Sequence, residues 1–370
     1  MLNKLIYVTY QTFPAGTANS LQTISNIKYF IKNGIDVELY FPLRSNESSD
    51  NIKEIQNYYN ISENFKLSGI SHPYPHGKVG LLKPLWFHIS HYLWSKKTVT
   101  SIKDKFDENA QFFTRSDWVA FFLAKNGKKV VFECHQTSKL RNLIMKKIKN
   151  YENVKFIYLN NHLQNYYKNV NNSIVLHNGA DSDLLKKINP QKKSNSIVFI
   201  GNLSRFNKSR GLEIILEHFA SNEIRDKFKL DIVGGPSDDV KKLRNFIKIN
   251  GLQDSINIHG RLNREKTAEI LNNTEIGLLI NTKSNLHSYK YTSPLKYFEY
   301  LLGGLAVVAL DFPSHGALPF SERINYFNLE DKKSLIVALE RAKRSQRLNK
   351  NELKLISLDN RIKEIINFLK

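Results

Sequence analysis

The chain has one cysteine, Cys134, in 370 residues, which excludes an internal disulfide and any multi-cysteine zinc site and fits a reducing compartment. No apolar run approaches the roughly 18 residues that cross a bilayer, and the N-terminus enters a strand-like run, Leu5 to Tyr10, without a signal-peptide layout. A cytoplasmic location is the expectation. Internal repeats and low-complexity tracts are absent, and 41% hydrophobic with 24% charged residues excludes a disordered chain, which lacks the apolar side chains to bury a core. Acidic residues are scarce: 34 Asp+Glu stand against 55 Lys+Arg, a net charge of +21. That excess points to a polyanionic partner, meaning nucleic acid, an anionic membrane or a phosphorylated small molecule, and composition does not choose among them.

What the chain does have is length for roughly two domains and two successive series of short apolar strands separated by helical stretches, the pattern of parallel sheets flanked by helices. The first series predicts strands at Leu5–Tyr10, Asp36–Phe41, Gln111–Thr114, Lys129–Glu133, Lys155–Leu159 and Ser173–Leu176, with a helix over Ser20–Asn33 capped by Asn19 or Ser20. The second predicts strands at Ser196–Ile200, Lys229–Val233, Ile256–His259, Ile276–Ile280 and Ala306–Leu310. Between them the polar run Asn189 to Asn195 reads as a linker, giving an N-terminal domain over 1–188 and a C-terminal domain over 189–359. The end segment 360–370 reads as an amphipathic helix, a candidate to complete the N-terminal domain. The fold class is α/β with two Rossmann-like domains.

The sharpest chemical signal is the run from Ser293 through Glu299 to Gly304. A helix opening at about Ser293, with Pro294 as its first helical residue, offers unsatisfied amides and a favourable dipole to a diphosphate, and Glu299 further along could accept bonds from ribose hydroxyls. The alternative is a capped surface helix with Glu299 solvated. Arg205, Lys208 and Arg210 lie in a loop between Gly201 and Gly211, where cations beside a strand-to-helix turn either hold an anion or are simply solvated. Phe132-Glu133-Cys134-His135 ends a strand at the edge where open α/β sheets place ligands, and Thr114-Arg115 ends another. His135 is the best N-domain site candidate, with a structural histidine as the alternative. Ala15 to Ser20, including Gly16 and Asn19, is a strand-to-helix loop of small residues that permits close approach of a substrate. Asp181-Ser182-Asp183 reads as a structural turn, and Gly234-Gly235 as a strand-end turn that loop geometry alone explains.

The run S-P-L-K-Y-F-E-Y-L-L-G-G-L-A-V-V-A from Ser293 resembles the family 4 retaining glycosyltransferases of the two-domain GT-B fold. Asn178-Gly179-Ala180-Asp181, the loop Gly201-Asn202-Leu203 to Arg210-Gly211, Ala18-Asn19-Ser20 and the E-x-H of Glu133 and His135 resemble further segments of that family. The resemblance implies two domains facing each other across a cleft and a bacterial transferase acting on cell-envelope, capsule or lipopolysaccharide glycans. It implies a donor site of Gly16, Asn202, Arg205, Arg210, Ser293, Pro294, Leu295 and Glu299, with the leaving phosphate met by Arg210 and Lys208 and with His135 catalytic. Asn19, Ser20, Arg115 and Glu133 fall on the acceptor side. Helix amides and Arg make a metal-independent reaction the economical one, so no metal and no cofactor are expected beyond the UDP- or GDP-linked sugar as co-substrate. Tyr291 stands where the family often has a second Glu.

Two basic, aromatic N-domain segments remain, Lys78 to Lys97 with Leu85, Trp86, Phe87 and Trp94, and Lys139 to Lys149. Cationic helices carrying Trp, Phe and Leu suit an anionic bilayer interface, each basic residue contributing about 1 kcal/mol there. Peripheral contact with the inner face of the cytoplasmic membrane is therefore the hypothesis, against packing of the aromatics in the core. The rival functions are a nucleotide-sugar epimerase on the same fold and a non-catalytic basic binding protein. Nucleic acid is disfavoured because no helix-turn-helix, zinc-finger or RNA-binding signature accompanies the charge.

Overall fold

The computed structural model describes residues 2–44, 47–74, 83–168, 171–184, 192–205 and 208–370, with positions 83, 84, 184, 205 and 208 described by their backbone alone. The linker residues Asn189 to Gln191, the 188/189 boundary and the stretch Lys78 to Leu82 lie outside the described residues. The chain divides into two compact units, one of Met1–Leu176 with Ile362–Lys370 and one of His177–Arg361.

In the first unit β1 (Lys4–Val8), β2 (Asp36–Leu43), β3 (Lys66–Ser71), β4 (Gln111–Thr114), β5 (Val130–Cys134), β6 (Val154–Tyr158) and β7 (Ser173–Val175) form one parallel sheet in the order β3-β2-β1-β4-β5-β6-β7. Leu5, Ile6, Tyr7 and Val8 are all fully buried, as a central strand covered on both faces requires. β3 was not expected: its sequence KLSGIS has no apolar alternation, and its half-buried residues at the sheet edge depend on pairing with β2. The first helix runs Ala18–Lys32, and its cap is Thr17, whose hydroxyl accepts from the Ser20 amide at 3.2 Å, displacing the cap expected at Asn19 or Ser20. Such a cap is worth about 1 kcal/mol. The C-terminal helix, Leu358–Leu369, brings Phe368 O to Lys155 Nζ at 2.7 Å within this unit.

The second unit holds β8 (Lys193–Ile200), a two-residue hairpin of β9 (Ser204–Arg205) and β10 (Lys208–Ser209), then β11 (Lys229–Val233), β12 (Ile256–Gly260), β13 (Thr274–Leu279), β14 (Ala306–Leu310) and β15 (Asn325–Phe327). Its main sheet is parallel in the order β12-β11-β8-β13-β14-β15, so strand order reverses between β8 and β13 as in a dinucleotide-binding fold. β15 is a three-residue edge strand, too short to show periodicity. The unit begins at His177 because the next residues are stitched into it: Asn178 bonds Ser293, and Ala180 N donates to Ile356 O at 3.1 Å.

Several buried polar groups keep the first unit specific. Arg141 Nε donates to Asp117 Oδ2 at 3.2 Å beneath His91, which bonds the Ser116 hydroxyl and stacks on Tyr10 at 4.4 Å between centroids. The Tyr10 hydroxyl meets His72 Nε2 at 2.6 Å. Burial pushes His91 and His72 each down to about 4, and in the second unit burial does the same to His177. These imidazoles stay neutral in the fold while the unfolded chain takes up protons near pH 6.5, so their contribution to stability is lost as pH falls from about 6.5 toward 4. Thermal unfolding should accordingly show Tm falling between pH 6.5 and 4.5, above the range in which most carboxylates titrate, and a Tm constant over that interval would contradict the neutral assignment.

Candidate functional site

In the first unit the C-terminal ends of β1, β4 and β5 bring Asn19, Arg115, Glu133 and His135 together. Glu133 is the penultimate residue of β5 and has no exposed surface. His135 follows that strand, its Nε2 at 3.0 Å from Glu133 Oε2 and its Nδ1 at 2.8 Å from Arg115 Nη2. Arg115, just after β4, reaches Glu133 Oε2 with Nε at 3.7 Å and donates from Nη2 to Asn19 Oδ1 at 3.2 Å. Asn19 itself is exposed. Ser20, expected on the acceptor side, is buried, with its hydroxyl on Thr12 O at 3.1 Å and on Thr17 Oγ1 at 2.9 Å, because it closes the first helical turn. Gly16 is exposed in the same loop, where Tyr59 clamps the neighbouring Ala15 through both its amide and its carbonyl at 2.7 and 2.9 Å.

In the second unit the helix runs Leu295–Leu302, starting later than expected. Pro294 is its N-cap, not its first helical residue: its ψ of 123° is extended. The cause lies in Ser293, which is buried, with its hydroxyl accepting from the Asn178 amide at 3.0 Å and its carbonyl from Asn178 Nδ2 at 2.5 Å. Ser293 therefore anchors the turn, and the first-turn amides belong to Leu295 and Lys296. Glu299 is partly buried and takes Lys296 Nζ on Oε2 at 2.5 Å, which sets aside the freely solvated alternative.

Tyr300 locks this helix to the sheet. Its hydroxyl accepts from Ile200 N at 3.0 Å, and its ring covers Gly277, where a Cβ would lie 2.3 Å from the ring. Burial raises the Tyr300 phenol, the bond to the Ile200 amide lowers it, and the charges of Glu299 and Arg210 act on it with opposite signs. Arg210 Nη1 donates to Asn202 O at 3.1 Å across the loop that leaves β8. Arg205 and Lys208 pair in the β9–β10 hairpin through their backbone, and their side chains lie outside the described residues. Gly234, read as ordinary loop geometry, has a stricter cause: a Cβ there would lie 1.7 Å from Gly201 O, so the end of β11 presses on the start of the β8 loop. Tyr291 is buried in a five-residue π turn, His287–Tyr291, pinned by Asn281 Nδ2 on Ser288 Oγ at 2.8 Å and by Ser314 Oγ on Ser288 O at 2.7 Å.

Asp181 is committed within its own unit, with Oδ1 accepting from Asp183 N at 3.1 Å and Oδ2 at 3.8 Å from Arg264 Nη2. Among the described residues no group of three or more His, Cys, Asp and Glu is gathered as metal ligands. Sequence reasoning overlooked Lys296, Asn178 and Tyr300 as parts of the site. The first was visible inside the S-P-L-K run, three residues before Glu299 on the same helical face.

Residues 194–342 match the family model described as glycosyl transferases group 1. No curated protein matches the sequence. Among solved structures the chain is similar to the sucrose-phosphate synthase of Thermosynechococcus elongatus (TM-score 0.70, 14% identity, 99% of this chain and 98% of that one). It is also similar to a glycosyltransferase from Rickettsia africae (0.68, 12%, 100% and 98%) and to Anabaena HepE in complex with UDP and glucose (0.63, 13%, 99% and 99%). At such identities the structural likeness establishes the fold, a GT-B pair of Rossmann-like domains, and residues 194–342 within it carry the match to the glycosyl transferases group 1 model.

The Gly234–Gly201 contact yields a stability test. Gly234→Ala forces two backbone segments apart and should cost about 1–3 kcal/mol or more in urea unfolding, whereas Gly316→Ala, with nothing within 4 Å of its Cβ, should stay within about 0.5 kcal/mol of the parent. Equal effects would show that the loop is not held by close approach.

Proposed function

We propose that the protein is a retaining glycosyltransferase that moves a sugar from a UDP- or GDP-linked donor to a cell-envelope glycan or its lipid-linked precursor. The observation that carries the donor half is the arrangement around Tyr300: one helix presents the amides of Leu295 and Lys296 at its start and Glu299 one turn on, with Arg210 on the adjoining loop. The diphosphate is assigned to those amides and Arg210, and the ribose hydroxyls to Glu299. As the bond from the anomeric carbon to the phosphate oxygen breaks, negative charge grows on the departing phosphate, and fixed donors that already face it lower the barrier without reorganising. The acceptor oxygen takes that place on the anomeric carbon, and its hydroxyl proton passes to the departing phosphate oxygen. Arg210 and the helix amides supply the positive field, so no divalent cation is required. His135 is assigned to a sugar hydroxyl. Retention rests on the family resemblance, and Glu133, without exposed surface, is unsuited to act as a covalent nucleophile.

The membrane half rests on the helix Lys83–Ile102. Residues 85–89 are all exposed, and four of them are apolar: Leu85, Trp86, Phe87 and Ile89, 37–51% exposed. Phe87 sets its ring against Tyr10 at 5.7 Å between centroids, and Leu85, Trp86 and Ile89 add an apolar strip that stays exposed among the described residues. Trp94, further along, is in the core, its indole N–H on Ile70 O at 3.2 Å, so the expected aromatic segment divides into a core part and an exposed part. The helix Lys139–Ile148 adds Leu143 at 60% exposure, beside Lys139, Lys146 and Lys147. Apolar side chains with cations alongside match an anionic bilayer interface. Among the described residues no helix is long and apolar enough to span a membrane.

Glu299→Ala should weaken nucleotide-sugar binding by about 1.5–3 kcal/mol, roughly 10- to 150-fold, in calorimetric titration with UDP- and GDP-sugars, and unchanged affinity would falsify the donor assignment. Initial rates with radiolabelled donor should be the same with and without EDTA; a rate abolished by the chelator and restored by magnesium or manganese would replace the metal-free account. Flotation with phosphatidylglycerol vesicles at low salt should carry the protein upward, and the double variant Trp86→Ser, Phe87→Ser should stay at the bottom while keeping its Tm. Parent protein that ignores anionic vesicles would remove the membrane surface from the proposal.

A further inference from the structure

We propose that Arg115 and Glu133 are positioning residues that fix His135 in one ring orientation and one tautomer, with the proton on Nε2 and the Nδ1 lone pair taken by Arg115, so that this imidazole does not serve as a base. Two constraints reach the same assignment. A guanidinium has five N–H donors and no acceptor, so Nδ1 of His135, 2.8 Å from Arg115 Nη2, must present its lone pair. Nε2 lies 3.0 Å from Glu133 Oε2, out of line for a hydrogen bond, yet a carboxylate that close favours an N–H there over a second lone pair. Turning the ring over would set carbon against both partners.

The clamp is itself held. Arg115 Nε lies 3.7 Å from the same Glu133 oxygen, and its Nη2 also donates to Asn19 Oδ1 at 3.2 Å, so the guanidinium plane is fixed between a residue of the first helix and a carboxylate buried in β5. Burial of Arg115 and Glu133 makes direct contact with a substrate the lesser role for both, although their sequence positions suggested the acceptor side. The His135 side chain retains 17% exposure, but Nε2 itself is buried against Glu133. A lone pair for deprotonating an acceptor hydroxyl is not on offer, because Arg115 occupies it.

The consequence for transfer rests on the proposed function; the tautomer does not. Long-range proton–nitrogen correlation spectra of the full-length, nitrogen-15-labelled protein, with His135 identified by the signals lost in His135→Gln, should show the Nε2–H tautomer alone near pH 7.5. Signals of an Nδ1–H ring, an averaged mixture or an imidazolium would overturn the proposal on the parent protein, without reliance on any variant's folding. Arg115→Met should let the ring populate both tautomers, and Arg115→Lys, which keeps a donor, should restore the Nε2–H form; an unchanged spectrum in Arg115→Met would also overturn it. With a donor and acceptor in hand, Arg115→Met should lower kcat at least tenfold and leave nucleotide affinity within twofold. Absence of sugar transfer by the parent would count against the proposed function, while the spectra would still decide the clamp.

Discussion

The hydroxyl of Tyr300 on the amide of Ile200 is the bond around which the second unit's chemistry is arranged. It joins the Leu295–Leu302 helix to the end of β8, and the ring closes over Gly277 in β13, so one side chain spans the two strands between which the sheet order reverses. That reversal leaves a crevice at the carboxyl ends of the strands. Two parts of the site, the loop toward Arg210 and the helix bearing Glu299, leave from its two sides. A buried phenol whose partner is removed leaves an amide unsatisfied, at a cost of about 1–3 kcal/mol. The position of Glu299 therefore depends on its sequence neighbour more than on its own contact with Lys296, which is partly exposed and worth little.

The first unit repeats this logic with side chains in place of backbone. Its order also reverses, between β1 and β4, and the contact across that point is Arg115 Nη2 to Asn19 Oδ1. The second unit offers amides and a cation at its reversal, which suits an anion. The first offers a guanidinium already engaged by Glu133, His135 and Asn19, which suits a neutral, hydroxyl-rich ligand. The two reversals thus differ in charge state by how much of their cation is already neutralised within the protein.

The fold was legible because nearly every central strand is a fully buried apolar run, and such runs survive translation from pattern to structure. The strands of the two main sheets that escaped, β3 and β15, are edge strands, where half-buried or very short segments leave no periodic trace. Helix starts were misplaced for one reason in two places. The hydroxyl of Ser20 turned inward and left the cap to Thr17, and Ser293 was captured by Asn178, distant in sequence, which pushed the first helical residue on to Leu295. Cap preference is local, whereas those bonds are decided by tertiary contacts. Glu299, Arg210, Arg115, Glu133 and His135 could be nominated from strand ends and motif spacing, but the meeting of Arg115, Glu133 and His135 in one clamp is a property of distances. Gly234 is the instructive case: a loop glycine in sequence, and in three dimensions the only residue small enough for the Gly201 carbonyl behind it.

The charge excess of +21 is likewise explained by position more than by number. Cations that serve structure are neutralised: Arg141 by Asp117, and Arg323 by Glu352 in a bidentate pair. Lys192 shows a different solution, its ammonium seated on the carbonyls of Leu271 and Gly303, near the ends of two helices, at 2.9 and 2.6 Å, with burial and then Arg347 lowering it to about 8. The lysines of the Lys139–Ile148 helix stand on the other side of this division. Among the described residues they meet no comparable buried carboxylate, and they flank exposed Leu143, within the same unit as the exposed Leu85, Trp86 and Ile89 of the Lys83–Ile102 helix. Repulsion among surface cations is a cost that salt screens well only beyond about 10 Å, and a surface that collects them beside apolar side chains is one that an anionic, apolar phase relieves on both counts. The charge on this face and the apolar residues beside it therefore call for the same kind of neighbour.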